Sequence, residues 1–470
     1  KSRFSNIWGV ERINGVNTVG FGSDGSSIYH WKCGDGWTKL SSGGSYSWEE
    51  AQLHFLGIYK LTSNADILLG TNGDDTFSGA SSDFTSEDKI IGGAGVDTLK
   101  ITDTAIIIDL DFVNVSNVEN ISYGNNNANL TIGASGAAAG ITRIIDGSGN
   151  TNLTVNSGHT NDITIDIGRG SDTVSASNYT NKLIINVNAE SIDSSDTFIG
   201  GIASDTLNLT TTSDMLLATD LANITGFENI VVVNDVSTGS INLHDSNIST
   251  GNSLTFNASI QTNTNLNINA GNETDGSIAI IRGASTGTAN ITLGHWHDTY
   301  TSTSDGVDTI IATAGTNTIK TGGGDDIITS GDGVDIIYGG SGNDIVKYLG
   351  NKDDYIINIS DTRSNEQSII HKKLGVTDTL IDIEKLIFYD REININYTLA
   401  SDNPTVVEGD TGTKLLTFTL TLDSTPTEDI TVNYETLTTG TATAGDDFVA
   451  SSGAVTIAAG SKTATVNIAI

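Results

Sequence analysis

The sequence predicts an all-β protein: a parallel β-solenoid with a small tryptophan-rich module before it and an antiparallel sandwich after it. Three observations carry that expectation. Proline is nearly absent, 2 residues against 53 glycines, and a run rich in Asn, Thr, Ser, Gly, Ile and Val suits strands joined by tight turns better than helices. Short apolar pieces recur at intervals of roughly 10 to 20 residues between polar turns, the pattern of coils that each bury an apolar face on the next. Residues 303–356 hold a strict nine-residue frame.

Composition limits function before any motif does. The 470 residues carry 22 Lys+Arg against 57 Asp+Glu, a formal net charge of −35. That balance argues against nucleic acid, whose binding needs a basic surface to release counterions, and against docking on anionic lipid. It favours solubility, or neutralisation by cations. The single cysteine, Cys33, permits no intrachain disulfide and no Cys-based zinc site. No apolar run approaches the roughly 20 residues of a membrane span. The chain starts at Lys1 without an initiator Met or a signal-peptide pattern, and reads as a processed or internal piece of a longer protein.

Residues 1–60 form the first unit and hold four of the five tryptophans, Trp8, Trp31, Trp37 and Trp48. "INGVNTVGFGSDGSSIYHWKCGDGWTKL" alternates apolar and polar residues around a Gly/Ser/Asp turn, which predicts a hairpin. "SWEEAQLHFLGIYKL" predicts a short helix, with Ser47 as N-cap, Glu49 and Glu50 in the first turn and Gly57 as the stop. The segment resembles the tryptophan-rich module found near calcium-repeat regions of some bacterial surface proteins.

Residues 61–302 contain an imperfect repeat of about 108 residues. "GGAGVDTLKI" from Gly92 matches "GGIASDTLNL" from Gly200, and "NVENISY" around Glu119 matches "GFENIVV" around Glu228. A third echo, "DIEKLIF" around Glu384, lies further on. The strand-like pieces between them predict an irregular solenoid; a sandwich, the alternative, usually shows more aromatics and prolines.

In residues 303–356 the frame runs "TSDGVDTII", "ATAGTNTIK", "TGGGDDIIT", "SGDGVDIIY" and "GGSGNDIVK", then "YLGNKDDYI", where the glycine pattern lapses. The sixth positions are Asp308, Asn317, Asp326, Asp335, Asp344 and Asp353. The large apolar positions are Ile310, Ile319, Ile328, Ile337, Val346 and Tyr355. An acidic linker needs no such frame. The segment resembles the RTX calcium-binding repeat, whose pattern is G-G-x-G-x-D-x-U-x. The resemblance implies a calcium β-roll in which two units make one coil. Asp308, Asp326 and Asp344 would then form one column, and Asn317, Asp335 and Asp353 the other. Ca2+ would sit between stacked turns on these side chains and on carbonyls of glycine turns. Those turns include Gly322, Gly324, Gly331, Gly333, Gly340 and Gly342, where glycine permits the backbone angles that aim carbonyls inward. Ca2+, a hard cation taking six to eight oxygens, suits such a set. Weaker matches place further candidates at Asp75 and Asp97, with Asp172 behind them.

Residues 357–397 resemble the segment that ends such rolls, with a basic cluster His371, Lys372 and Lys373, and read as a cap. Residues 398–470 alternate cleanly in "LLTFTLTL", "DITVNYET" and "KTATVNIAI", which predicts an antiparallel sandwich. "VVEGD", "TGTATAGDDF" and "GAVTIAAGSKTATVNI" resemble a Calx-β domain. The resemblance implies calcium ligands at Glu408, Asp446 and Asp447. A full domain of that family continues with an acidic segment and further strands. The expectation is therefore a partial sandwich, completed by later residues or by a strand from a neighbouring subunit.

Nothing in the chain reads as catalytic. "GASTG" fits G-x-S-x-G around Ser285, but a nucleophile elbow needs a strand leading into a helix, and this serine lies between strand-like pieces. "GHWHD" places His295 and His297 on one side of an expected strand, where a ruffled coil edge outweighs a transition-metal site. The chain is therefore expected to be no enzyme. The resemblances imply a secreted protein, extracellular or on a bacterial cell surface, folded and stiffened by Ca2+: a subunit of a surface layer, a filament or a large adhesin. Export would use a type I route. The alternative is the non-catalytic export and folding portion of a larger RTX toxin or secreted hydrolase. The partners expected are other copies of the chain in a fibre or lattice, and cell-surface polysaccharide.

Overall fold

In a computed structural model the protein divides into two compact units, residues 1–260 and 261–470. The structure describes the backbone of the strands between Asn6 and Ser42, and residues 57–470 except 211–214, 235–238, 263–264, 360–365, 408–411 and 438. The helix expected from Ser47 lies outside the described residues, as does Glu408.

The first unit opens with a four-stranded antiparallel meander, Asn6–Ile13, Val16–Ser23, Ser27–Lys32 and Gly36–Ser42. Its last strand meets the next element through the Ser41–Leu68 pair. From Ile58 onward the strands are parallel and in register, so this region is a β-solenoid and not a sandwich. One sheet stacks Thr76–Gly79, Thr98–Ile101, Asn120–Gly124, Arg143–Asp146, Ile163–Ile167 and Leu183–Asn188, and runs on to Ser253–Ala258. A second stacks Ala105–Ile107, Ala128–Ile132, Thr151–Val155, Thr173–Ser175 and Thr197–Ile199. Side chains alternate faces along a strand, so a fixed register lays like residues over like. Phe77, Leu99, Ile121, Ile144, Ile165 and Ile185 form one such apolar row, all within 1% of full burial.

One short helix, Ala134–Ala139, interrupts the coils. Its small alanines and the left-handed Gly140 at its end (φ 102°) make it possible. Its start is capped from another coil: Asp109 accepts from Gly133, Ser135 and Gly136 N–H at 2.6, 3.1 and 2.9 Å. Burial raises the Asp109 pKa, but these donors outweigh it and hold the carboxyl below its ordinary range.

In the second unit two parallel sheets face each other. One stacks Ser277–Arg282, Thr299–Ser302, Thr318–Lys320, Ile336–Tyr338 and Thr377–Ile381. The other stacks Leu266–Asn269, Ala289–Thr292, Asp308–Ala312, Ile327–Ser330, Ile345–Tyr348 and Lys385–Ile387. The apolar positions of the nine-residue frame, Ile310, Ile319, Ile328, Ile337 and Val346, are fully buried between them, and Tyr355 is 5% exposed. The coils end in antiparallel hairpins. Tyr355–Ile359 pairs with Glu366–His371, which pairs with Thr377–Ile381; Glu392–Asn394 pairs with Lys385–Ile387. Paired strands thus cover what would be bare sheet edges.

Residues 399–470 form two antiparallel sheets. Leu399–Ser401, Leu415–Leu422 and Thr463–Ala469 make one; Ile430–Glu435 and Ser452–Ile457 make the other. Leu420, Leu422, Ile457, Val466 and Ile468 are its core. The inner faces also line a groove of about 850 Å3, with Phe418, Tyr434 and Phe448 on its walls. Glu428 ties this pair of sheets to the end of the coils through Lys352 at 3.4 Å and Arg391 at 3.6 Å.

The alternation can be tested on one strand. Ile107 is 1% exposed and its neighbour Ile106 is 72% exposed. Ile107→Ala should cost about 2–5 kcal/mol in urea unfolding, and Ile106→Ala under about 1 kcal/mol.

Candidate metal centre

A backbone N–H that enters a turn of the coil has no partner in its own strand. Here a carboxylate or amide from the next coil supplies one, and the exchange repeats down the stack. Asp308 N–H donates to Asp326 Oδ1 at 2.7 Å, Asp326 N–H to Asp344 Oδ1 at 2.9 Å, and Asp344 N–H to Glu384 Oε2 at 2.7 Å. This is the first column. In the second, Asp298 N–H donates to Asn317 Oδ1 at 3.2 Å, Asn317 N–H to Asp335 Oδ1 at 3.0 Å, and Asp335 N–H to Asp378 Oδ1 at 2.9 Å.

Five of the six expected column residues therefore stack, and the sixth does not. Asp353 is exposed, in the 3-10 turn Lys352–Asp354. The chain leaves the coil after Tyr348, folds the Tyr355–His371 hairpin and returns at Thr377, so Asp378 takes the place expected for Asp353. Sequence reasoning missed Asp298, Asp378 and Glu384 because none keeps the nine-residue spacing.

Below their first members the two columns differ in how their oxygens are satisfied; at the head of the second, Asp298 Oδ2 is itself buried without a hydrogen-bond partner. In the second, Asp335 Oδ2 accepts from Ser330 Oγ at 2.7 Å. Asp378 Oδ2 accepts from the Tyr348 hydroxyl at 3.0 Å and Ser330 Oγ at 3.3 Å. In the first, Asp326 Oδ2 and Asp344 Oδ2 are buried without a hydrogen-bond partner. The Thr321 hydroxyl, which eases the burial of Asp326, is committed to the Gly339 carbonyl at 2.8 Å.

Left-handed glycines are concentrated in the turns of the first column, although Gly315 in the Asn317 turn of the second has φ 83° as well. Gly322, Gly324, Gly340 and Gly342 beside the first column have φ of 96°, 111°, 96° and 142°, the left-handed region that only glycine enters freely. Gly331 and Gly333 beside the second column do not have positive φ, contrary to the expectation. They are glycines for room: a Cβ there would stand 1.9 Å from Thr313 O and 1.4 Å from Gly315 O.

Asp308 heads the first column, yet protein groups already hold both of its oxygens. Arg282 pairs with Oδ1, and the Tyr300 hydroxyl donates to Oδ2 at 2.7 Å. Its expected role as a calcium ligand does not fit this arrangement.

The other candidates separate on the same criterion. Asp75 is closed by its own turn, Oδ2 accepting from Thr71 N–H at 2.5 Å and from Thr71 Oγ1 at 3.1 Å. Asp97 accepts from Asp75 N–H at 2.8 Å on Oδ1, while its Oδ2 is buried and unpartnered, and so is Oδ2 of Asp172. Asp446 is exposed. Asp447 closes a turn on Thr443 N–H at 2.6 Å. His295 and His297 lie in an exposed turn, not a strand.

The repeat of about 108 residues has the same physical content. Asp97 N–H donates to Glu119 Oε2 and Asp205 N–H to Glu228 Oε2, both at 2.8 Å. Asp344 and Glu384 are the third instance. The residue two before each glutamate is left-handed: Asn117 at φ 53°, Gly226 at 74° and Asp382 at 54°. The carbonyls of these residues press on Gly92, Gly200 and Gly339, where a Cβ would stand 1.7, 1.8 and 2.3 Å away.

Burial without a counter-charge raises these carboxyls. Burial pushes Asp344 up to about 7, with Asp326, Glu384 and Asp325 adding repulsion. Asp378 and Asp172 are likewise pushed to about 7, and Asp97 to about 6. Buried carboxylate oxygens without a partner, beside turns that present carbonyls, suit a hard cation.

Residues 62–83, 302–336 and 311–346 match the model of the RTX calcium-binding nonapeptide repeat, which is found in four copies. Comparison with curated proteins gave no match. The chain thus carries calcium-binding repeats within a β-solenoid.

The raised carboxyls set a pH dependence for the calcium-free protein. An unfolded Asp ionises near about 3.9, whereas folded Asp344 and Asp378 hold their protons to about 7. Between those values the folded chain binds more protons, so stability falls as pH rises through the window. In chelator, thermal unfolding should come at a higher temperature at pH 5 than at pH 8.

Proposed function

We propose that the protein is an extracellular structural element that calcium folds and stiffens: a subunit of a bacterial surface layer, a filament or a large adhesin. The observation that carries this reading is the pair of buried, unpartnered oxygens, Asp326 Oδ2 and Asp344 Oδ2, beside left-handed glycine turns. Asp326 and Asp344 would hold the ion, with carbonyls of the turns at Gly322–Gly324 and Gly340–Gly342. Calcium supplies the positive charge that lets these carboxylates stay ionised inside the coil. Metal binding then becomes folding free energy.

The coils and sheets of the second unit are packed on apolar rows and end in paired strands, which suits a stiff element. The C-terminal pair of sheets is read as a Calx-β domain. Thr463–Ala469 is an edge strand there, its outer side met by Val449 N–H at Ala469 O. An edge of that kind can take another strand, and head-to-tail addition between copies builds a fibre or lattice. Secretion and a cell-surface polysaccharide partner belong to the same proposal.

Circular dichroism of the full chain should gain strand signal when millimolar calcium replaces chelator, and electron microscopy should then show fibres or sheets. Identical spectra in both conditions would end the calcium reading. Monomers alone in calcium would end the assembly reading. Asp344→Ala should weaken calcium binding by about tenfold or more. Asp325→Ala, at an exposed position, should change it less than about twofold.

A further inference from the structure

Among the described residues Arg282 is the only buried Lys or Arg. Its side chain is 1% exposed and that of Asp308, its ion-pair partner, is 0% exposed. The guanidinium also donates to the Gly287 carbonyl at 2.6 Å and to Ser285 Oγ at 3.3 Å. Carboxylate, carbonyl and hydroxyl oxygens thus converge on one positive charge. That is the kind of donor set a hard cation takes, met here by a planar fork of N–H groups.

The surroundings belong to a turn of the column. Asp308 N–H donates to Asp326, so Arg282 stands directly above the first of the two carboxylates whose Oδ2 has no partner. Arg282 ends the strand Ser277–Arg282 and pairs in register with Ser302 of the next coil. Ser285, the serine of the "GASTG" match, braces this turn. Its Oγ accepts from Gly287 N–H at 3.1 Å, and its carbonyl accepts from Ser304 Oγ at 2.7 Å and Asp305 N–H at 2.9 Å. Gly306 fits beneath only because it lacks a side chain: a Cβ would stand 1.8 Å from Gly287 O.

We propose that the Arg282 guanidinium is a built-in cation in the place of the first calcium of the column. The Asp308 turn is then complete without metal, and it is the template on which the calcium-dependent coils below it order. This rests on the calcium reading of Asp326 and Asp344 and adds a direction to it. Order spreads from a metal-free coil toward Glu384, because each lower carboxylate finds its N–H donor already fixed by the coil above.

Hydrogen exchange on the full chain tests this, with mass-spectrometric readout in chelator and in millimolar calcium. Amides of Ser277–Arg282, Ala289–Thr292 and Asp308–Ala312 should exchange alike in both. Those of Ile327–Ser330 and Ile345–Tyr348 should exchange at least tenfold faster in chelator. Loss of protection in both groups together would overturn the template. Lower amides indifferent to calcium, with no calcium bound, would instead overturn the calcium reading itself. In Arg282→Ser, equilibrium dialysis should count one more calcium per chain than in the unsubstituted protein. Protection of Asp308–Ala312 should then depend on calcium. An unchanged count in a folded variant would overturn the equivalence of guanidinium and calcium. If the variant does not fold, the exchange pattern of the unsubstituted chain decides alone.

Discussion

The structure depends on one recurring exchange: at the start of many of the described coils a backbone N–H is satisfied by a carboxylate or amide from the next coil. A parallel coil can pair its strands fully, but its turns present donors that the ladder does not reach. A buried donor without an acceptor costs about as much as several good contacts gain. Placing an acidic or amide side chain at that point of a coil resolves the donor and fixes the register of the next strand. It also puts the acidic groups on top of one another. The spacing of the aspartates is thus set by the length of a coil: 22 residues between Asp75 and Asp97, and 18 between Asp308 and Asp326.

Satisfying the donor leaves the second oxygen and the charge, and the protein settles these differently from turn to turn. At Asp308 a guanidinium and a phenol take both oxygens. At Asp335 and Asp378 a serine hydroxyl and Tyr348 share the load. At Asp326, Asp344, Asp298, Asp97 and Asp172 the second oxygen is left without a partner. A buried carboxylate in that state either takes up a proton or meets a cation. On the calcium reading proposed above, the demand for a counter-charge therefore falls on particular turns and not on every repeat.

Much of this was legible in the sequence, for a physical reason. The nine-residue frame is half a coil, and register makes half-coils add, so spacing alone leads directly to the buried isoleucines and the stacked aspartates. What failed was whatever left the frame. Asp353 keeps the count but not the coil, because the hairpin Tyr355–His371 carries the chain away before Thr377 restores it. Arg282 acts by contact across coils, 26 residues from Asp308, and Tyr300 reaches Asp308 from the facing sheet, so no local pattern marks either; Ser330 sits in the frame, but its hydroxyl bonds to Asp335 and Asp378 show only in the fold. The helix at Ala134–Ala139 was hidden because its cap, Asp109, comes from a different coil. The echoes at Glu119, Glu228 and Glu384 were visible as words but not as chemistry. Their meaning appears only when each is seen to accept from an aspartate one coil earlier.

Those three echoes show that the constraint is one of position and not of chain length. Asp97 and Glu119 lie 22 residues apart, Asp205 and Glu228 lie 23 apart, and Asp344 and Glu384 lie 40 apart. The last pair encloses an entire hairpin and keeps a bond of the same kind. Closing a longer loop costs little more than closing a short one, whereas losing the register would turn the buried face of Lys385–Ile387 outward. In each case a left-handed residue precedes the glutamate by two, its carbonyl seated over a glycine of the earlier coil. The chain bends away at that point, and the extra methylene of glutamate over aspartate restores the reach to the N–H. The same three-part device, glycine, left-handed turn and glutamate, thus joins a coil to its successor, whether that successor is another coil or the hairpins that finish the stack.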